Sequence, residues 1–114
     1  MKAKLYLETT IPSYLAGRPS RDLLVAAHQA ITRDWWESRR SAFELYVSQL
    51  VIQEVQAGDT LLANRRLEIL RDLPVLAVSP EILNLAEDIT EGPIPRKAAG
   101  DAAHIAIATA ANIC

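Results

Sequence analysis

Cysteine is almost absent: the one at position 114 is the only one in the chain. No disulfide can therefore form within the molecule, and a cysteine-based zinc site is excluded. Such usage fits a reducing cytosol. Long apolar runs are missing too. Nowhere do the roughly eighteen consecutive apolar residues of a membrane span occur, and Met1–Glu8, with Lys2 and Lys4, has no apolar stretch of signal-peptide length. The expectation is a cytoplasmic protein with no membrane partner. There is no low-complexity tract, no internal repeat and no linker, and charges of both signs are interspersed, a pattern that disfavours disorder. No glycine-rich loop follows the first apolar segment, so the usual phosphate cradle of a nucleotide-binding α/β domain is lacking. Nor is there a basic excess. With 12 Lys and Arg against 14 Asp and Glu the formal net charge is −2, which argues against a protein that grips nucleic acid mainly by its phosphates. An enzyme whose carboxylates hold cations that meet a polyanion stays open.

What remains is a chain of 114 residues, 50% of them hydrophobic, enough for one domain over residues 1–114 with a core that needs no staples. Lys4–Glu8 reads as a short strand that turns polar at its end. Thr10 is placed to cap a short helix starting near Ile11 and Pro12, broken by Gly17 and Pro19, and Ser20 offers a second cap. From Arg21 to about Arg40, Leu24, Ala27, Ile31 and Trp35 recur at helical spacing and predict an amphipathic helix with that stripe inward. Phe43–Val47 reads as a strand. Ser48 then caps a helix running to Ala57 and closed by Gly58, and Asp59 opens another through Leu70. Pro74–Val78 reads as a third strand, Ser79-Pro80-Glu81 starts a helix that ends at Gly92, and Pro93 and Pro95 lead stiffly into an Ala- and Ile-rich helix over Arg96–Ala111 that should be buried. Strands alternating with helices predict an α/β fold: a parallel sheet covered on both faces.

Three carboxylates stand out. Glu8 ends the first strand, and ligands of open parallel sheets bind at the carboxyl ends of strands. Glu54 shares a helical stripe with Leu50 and Val51, where a charge is costly unless it is paired or coordinated. Asp101 sits among Gly100 and alanines near a helix N-terminus, where the dipole favours its ionised form and small neighbours permit close approach. Each has an ordinary alternative: an exposed strand end, a helix-edge residue reaching water, a first-turn Asp chosen for helix stability. If the three converge, their oxygens suit a hard cation, Mg²⁺ or Mn²⁺. A bound cation of that kind activates water and screens phosphate, the requirement of phosphodiester hydrolysis.

Tyr6-Leu7-Glu8-Thr9-Thr10-Ile11-Pro12-Ser13-Tyr14-Leu15 resembles the opening motif of VapC-type PIN domains, in which an acidic residue, Asp in most members and Glu in a subset, ends the first strand. Ser48–Glu54 is similar to the second motif of that family and Gly100–Ala106 to the third, so the likeness runs in order along the whole chain. The resemblance implies a PIN-like three-layer α/β/α fold with a central parallel sheet. It implies a metal-dependent endoribonuclease, the toxin of a type II toxin–antitoxin pair, with RNA as substrate and an antitoxin protein as partner. Glu8, Glu54 and Asp101 would be metal ligands, and Thr9 would orient Glu8 or a bound water. His104, one turn from Asp101, matches a family position that is not catalytic; it could hydrogen-bond Asp101 or be a buried, satisfied histidine. Members of the family continue into a fourth strand with a further site residue, which this sequence lacks. The expectation is a fragment, a truncated gene product, or a homodimer that covers the open flank of the first strand. The alternative function is a catalytically silent PIN-like protein-binding module.

Trp35 and Trp36 point about 100° apart on a helix, so one is expected in the core, and the other either packs on its own domain or is half-exposed at a dimer or antitoxin interface. Arg39-Arg40 and Arg65-Arg66 read as solvated pairs, whereas Arg18 and Arg21 are better placed to steer RNA phosphates near the site entrance.

Overall fold

The structure, a computed structural model, describes residues 2–91 and 99–113. The predicted Gly92, Pro93 and Pro95 connection, with Arg96 and Lys97, lies outside the described residues. Three strands form one all-parallel sheet in the order β1-β2-β3: β1 (Ala3–Tyr6), β2 (Phe43–Ser48) and β3 (Val75–Leu76). β1 and β2 pair in the register Leu5↔Leu45 and Tyr6↔Tyr46, and Leu7 N–H extends the ladder by donating to Tyr46 O at 2.8 Å. β2 and β3 pair at Val47↔Val75 and Ser48↔Leu76. β3 is shorter than the predicted Pro74–Val78, because Val78 N–H is taken by the Gln49 side chain at 3.0 Å instead of a strand partner.

Six α-helices accompany the sheet among the described residues: α1 (Thr10–Ala16), α2 (Leu23–Ser38), α3 (Gln49–Val55), α4 (Thr60–Leu70), α5 (Pro80–Glu91) and α6 (Ala99–Ala110). The fold is thus mixed α/β. The caps follow side-chain chemistry: the Ser48 hydroxyl accepts Val51 N–H, the Asp59 carboxylate accepts Leu62 N–H, and the Ser79 hydroxyl accepts Ile82 N–H. Two caps differ from expectation. Asp22, not Ser20, caps α2 by accepting from Leu24 and Val25, while the Ser20 hydroxyl accepts Asp22 N–H. Ahead of α1 the cap position is Thr9 rather than Thr10; its hydroxyl bonds elsewhere, and the Glu8 carboxylate takes Thr10 N–H at 3.0 Å. The chain leaves α3 through Gly58, whose φ of 83° lies in the left-handed region that glycine adopts freely.

β2 shows why the core lies where it does. Its alternate residues Leu45 and Val47 are buried while Glu44 is exposed, and the buried pair meets Leu7, Val51, Val55 and Leu70 in one cluster. α2 lies on the periphery of this cluster, with no fully buried residue, and the predicted inward stripe is wrong. Leu24 and Ile31 are each 67% exposed and Ala27 is exposed, while Val25, Gln29, Thr32 and Trp36 turn inward. The two stripes lie about 100° apart on the helix, and the tryptophans set the rotation. Both Trp35 and Trp36 pack half-buried against the core, Trp35 stacking on Phe43 at 6.0 Å, so neither is the outer one. Gln29 secures the same rotation: its Oε1 accepts Ser20 N–H and its Nε2 donates to Arg18 O.

α5 packs against α6. α6 is only partly buried, contrary to its composition: Ala102, His104, Ala106 and Ile107 face in, while Asp101, Ile105 and Thr109 form an exposed stripe. The arginine pairs are also not simply solvated. Arg40 lies over the Trp36 ring at 4.4 Å, and Arg66 Nη1 donates to Val55 O and Ala57 O, satisfying carbonyls at the end of α3.

Leu70→Ala should cost about 2–5 kcal/mol, the range for emptying a buried leucine site. Leu23→Ala, at a position 87% exposed, should change stability by no more than about 0.5 kcal/mol. Urea denaturation of the two variants checks the core assignment.

Candidate functional site

The site is built around Glu54. It lies in the last turn of α3, one turn after buried Val51 and next to buried Val55, and its side chain retains 36% exposure. A carboxylate at such a boundary needs partners on its inner side. It has two. Thr9, just beyond β1, donates its hydroxyl to Glu54 Oε1 at 2.5 Å, and His104 of α6 bonds the same oxygen through Nε2 at 2.7 Å.

His104 is 8% exposed and both its ring nitrogens are engaged, the other by the Tyr6 hydroxyl at 2.6 Å from Nδ1. Tyr6 in turn lies 2.8 Å from Ser48 Oγ. Proton directions follow from what each group can do. A carboxylate only accepts, so His104 Nε2–H donates to Glu54. In the neutral ring Nδ1 is then an acceptor, the Tyr6 O–H donates to it, and the Ser48 O–H donates to the tyrosine oxygen.

Glu8 joins the same neighbourhood. One of its oxygens is held by Thr10 N–H, and its charge together with that of Glu54 bears on Tyr6. The Tyr6 pKa is raised above 10.0. Burial of the phenol is the main cause; the Ser48 hydrogen bond acts against it, and the nearby Glu54 and Glu8 charges add to it.

Of the residues singled out from sequence, Glu8, Thr9 and Glu54 are brought together at the carboxyl ends of β1 and β2. Thr9 serves Glu54 rather than Glu8. Asp101 sits in the first turn of α6 on its exposed stripe, one turn before His104, and has no hydrogen-bond partner among the described residues. His104 bonds Glu54 and not Asp101. No three acidic, histidine or cysteine side chains form a metal-holding group among the described residues. The donors on offer are nonetheless carboxylate oxygens, the chemistry Mg²⁺ and Mn²⁺ take, and Mg²⁺ is commonly held by only one or two carboxylates plus waters and substrate phosphates. Arg18, expected near the entrance, instead borders a surface cavity of ≈ 320 Å³ with Arg65 and Asp59.

Sequence reasoning missed Tyr6, and it assigned Ser48 a capping role alone. The available signal was parity: Tyr6 and Glu8 are two residues apart, which places both on one side of an extended chain. No family model, curated protein or solved structure matches this chain. Among the described residues no helix is long and apolar enough to cross a membrane.

A raised tyrosine pKa means that the folded protein keeps a proton the unfolded chain releases. The stability Tyr6 contributes is therefore complete below 10.0 and declines as pH rises through the folded value. Urea midpoints measured across alkaline pH should fall more steeply for the unmodified protein than for Tyr6→Phe.

Proposed function

We propose that this chain is a divalent-metal-dependent endoribonuclease of the PIN type, the toxin of a toxin–antitoxin pair. Glu8, Glu54 and Asp101 would hold Mg²⁺ or Mn²⁺, and RNA is the substrate. The supporting observation is that all three motif segments meet at one carboxylate: Thr9 from the first and His104 from the third both bond Glu54 of the second. When bound, such an ion lowers the pKa of its water and neutralises charge on the phosphodiester. The protein's part is orientation. Thr9 and His104 occupy Oε1 of Glu54, which leaves Oε2 for a ligand, and Thr10 N–H occupies Oε1 of Glu8 in the same way. His104, with both nitrogens engaged, holds Glu54 and is not itself a ligand. The proposal sets the protein in the cytoplasm with an antitoxin as partner and a second copy of the chain at the open edge of β1.

One observation favours a second reading, a catalytically silent binding module of the same fold. The exposed Asp101 carboxylate does not close a three-ligand group with the others.

Calorimetry with Mn²⁺ on the unmodified chain, Glu54→Gln and Asp101→Asn, paired with cleavage of single-stranded RNA, separates the two. The nuclease reading expects affinity to fall roughly tenfold or more in each variant, with cleavage lost in parallel. Binding that is unchanged in both variants removes the metal site, and a chain that neither binds Mn²⁺ nor cuts RNA is the silent module.

A further inference from the structure

The hydrogen bonds around Glu54 form a circuit that leaves α3 through its N-cap, Ser48, and returns to it at its last turn. Val51 N–H donates to Ser48 Oγ at the N-terminus of α3. From Ser48 the path runs to Tyr6 of β1, then to His104 of α6, and ends on Glu54 of α3. Two elements distant in sequence, 42 residues from Tyr6 to Ser48 and 50 from Glu54 to His104, are thus fastened to both ends of one short helix.

Packing alone does not call for this chemistry. A phenylalanine would occupy the half-buried place of Tyr6 without a hydroxyl to satisfy, and an aliphatic residue would sit beside Ala102 and Ala106 where His104 is 8% exposed. Buried polar groups carry a desolvation cost that hydrogen bonding only about offsets. Their effect is directional instead. A neutral imidazole that donates from Nε2 leaves Nδ1 as an acceptor, and the Tyr6 hydroxyl is the donor placed to fill it.

We infer that Tyr6 and His104 are positioning residues for Glu54: the carboxylate, which only accepts, selects the Nε2–H of the histidine, the tyrosine hydroxyl donates to the Nδ1 left bare and so anchors the ring, and the anchored histidine holds the carboxylate in one orientation. For its consequence in metal binding the inference rests on the nuclease reading; the tautomer itself does not. Thr9 donates to the same oxygen, so Glu54 Oε1 has two donors while the side chain as a whole stays 36% exposed.

The test begins on the metal-free protein, with ¹⁵N NMR of the imidazoles. The chain has two histidines, and the exposed His28 serves as reference. His104 should show a protonated Nε2 and a bare Nδ1, and Tyr6→Phe, with its fold checked by amide spectra, should shift the Nδ1 resonance of His104, which loses its donor, while that of His28 stays. An His104 ring in the Nδ1–H tautomer, or one whose Nδ1 resonance is unchanged in Tyr6→Phe, overturns the inference. Mn²⁺ calorimetry then reads the consequence. Tyr6→Phe and His104→Leu should weaken binding roughly ten- to hundredfold, and His104→Gln, which keeps an N–H donor for Glu54, should lose less than His104→Leu. If folded Tyr6→Phe binds Mn²⁺ as the unmodified chain does while Glu54→Gln does not, positioning is refuted and the metal site stands. If the unmodified chain binds no Mn²⁺, the metal reading fails and the tautomer result decides the positioning role by itself.

Discussion

A carboxylate at the edge of an apolar core is the constraint around which this molecule is organised. Glu54 follows the buried Val51 by one turn and precedes the buried Val55, and its charge is tolerable there only with donors on the inner side. The donors come from the start of the chain and from its last helix. Charge-assisted bonds of this kind are shorter and stronger than neutral ones, and here they join the end of β1, the helix after β2, and α6 at one atom. The parallel pairing of the first two strands serves this geometry. β1 and β2 are parallel neighbours, so the residues that follow both strands emerge at the same end of the sheet.

Helix starts were the most legible part of the sequence. Ser48, Asp59 and Ser79 each cap the helix assigned to them, because a short oxygen-bearing side chain before an apolar periodic run has few other uses. The strand at Phe43 and the order of elements were equally plain. The facing of α2 was not. Its sequence carries two stripes, and the aliphatic positions Leu24, Ala27 and Ile31 of the first looked the more apolar; the adjacent tryptophans, Trp35 stacked on Phe43 and Trp36 at the end of the second, decided the rotation. Threonine and glutamine inside that second stripe disguised it. Thr9 and Thr10 presented a similar ambiguity, since two adjacent hydroxyls compete for one capping position, and a neighbour distant in sequence claimed the first of them.

The site was legible in its acids and obscure in its neutral members. Glu8 and Glu54 could be picked out because charge at a strand end or on an apolar stripe demands an explanation. Tyr6 offered no such signal, as a tyrosine in a strand is ordinary, and its partner is 98 residues away. His104 was visible as a polar residue in an apolar helix, but the choice between Asp101, one turn away, and a residue of another helix is made by the rotation of α6, which alanines leave unspecified. The arginines show the converse. Arg40 and Arg66 read as solvated surface charges in sequence, yet one covers an indole and the other satisfies carbonyls left open at the end of α3.

The span between Glu54 and His104 has a bearing on biosynthesis. Polypeptides are made from the N-terminus at about 5–20 residues per second, so the 50 residues separating the two take on the order of 3–10 s to add. During that interval a nascent chain can already hold β1, β2 and α3, with Thr9 in reach of Glu54, while the imidazole that completes the carboxylate's surroundings has not been made. The full set of donors around Glu54 is therefore in place only once translation has passed α6.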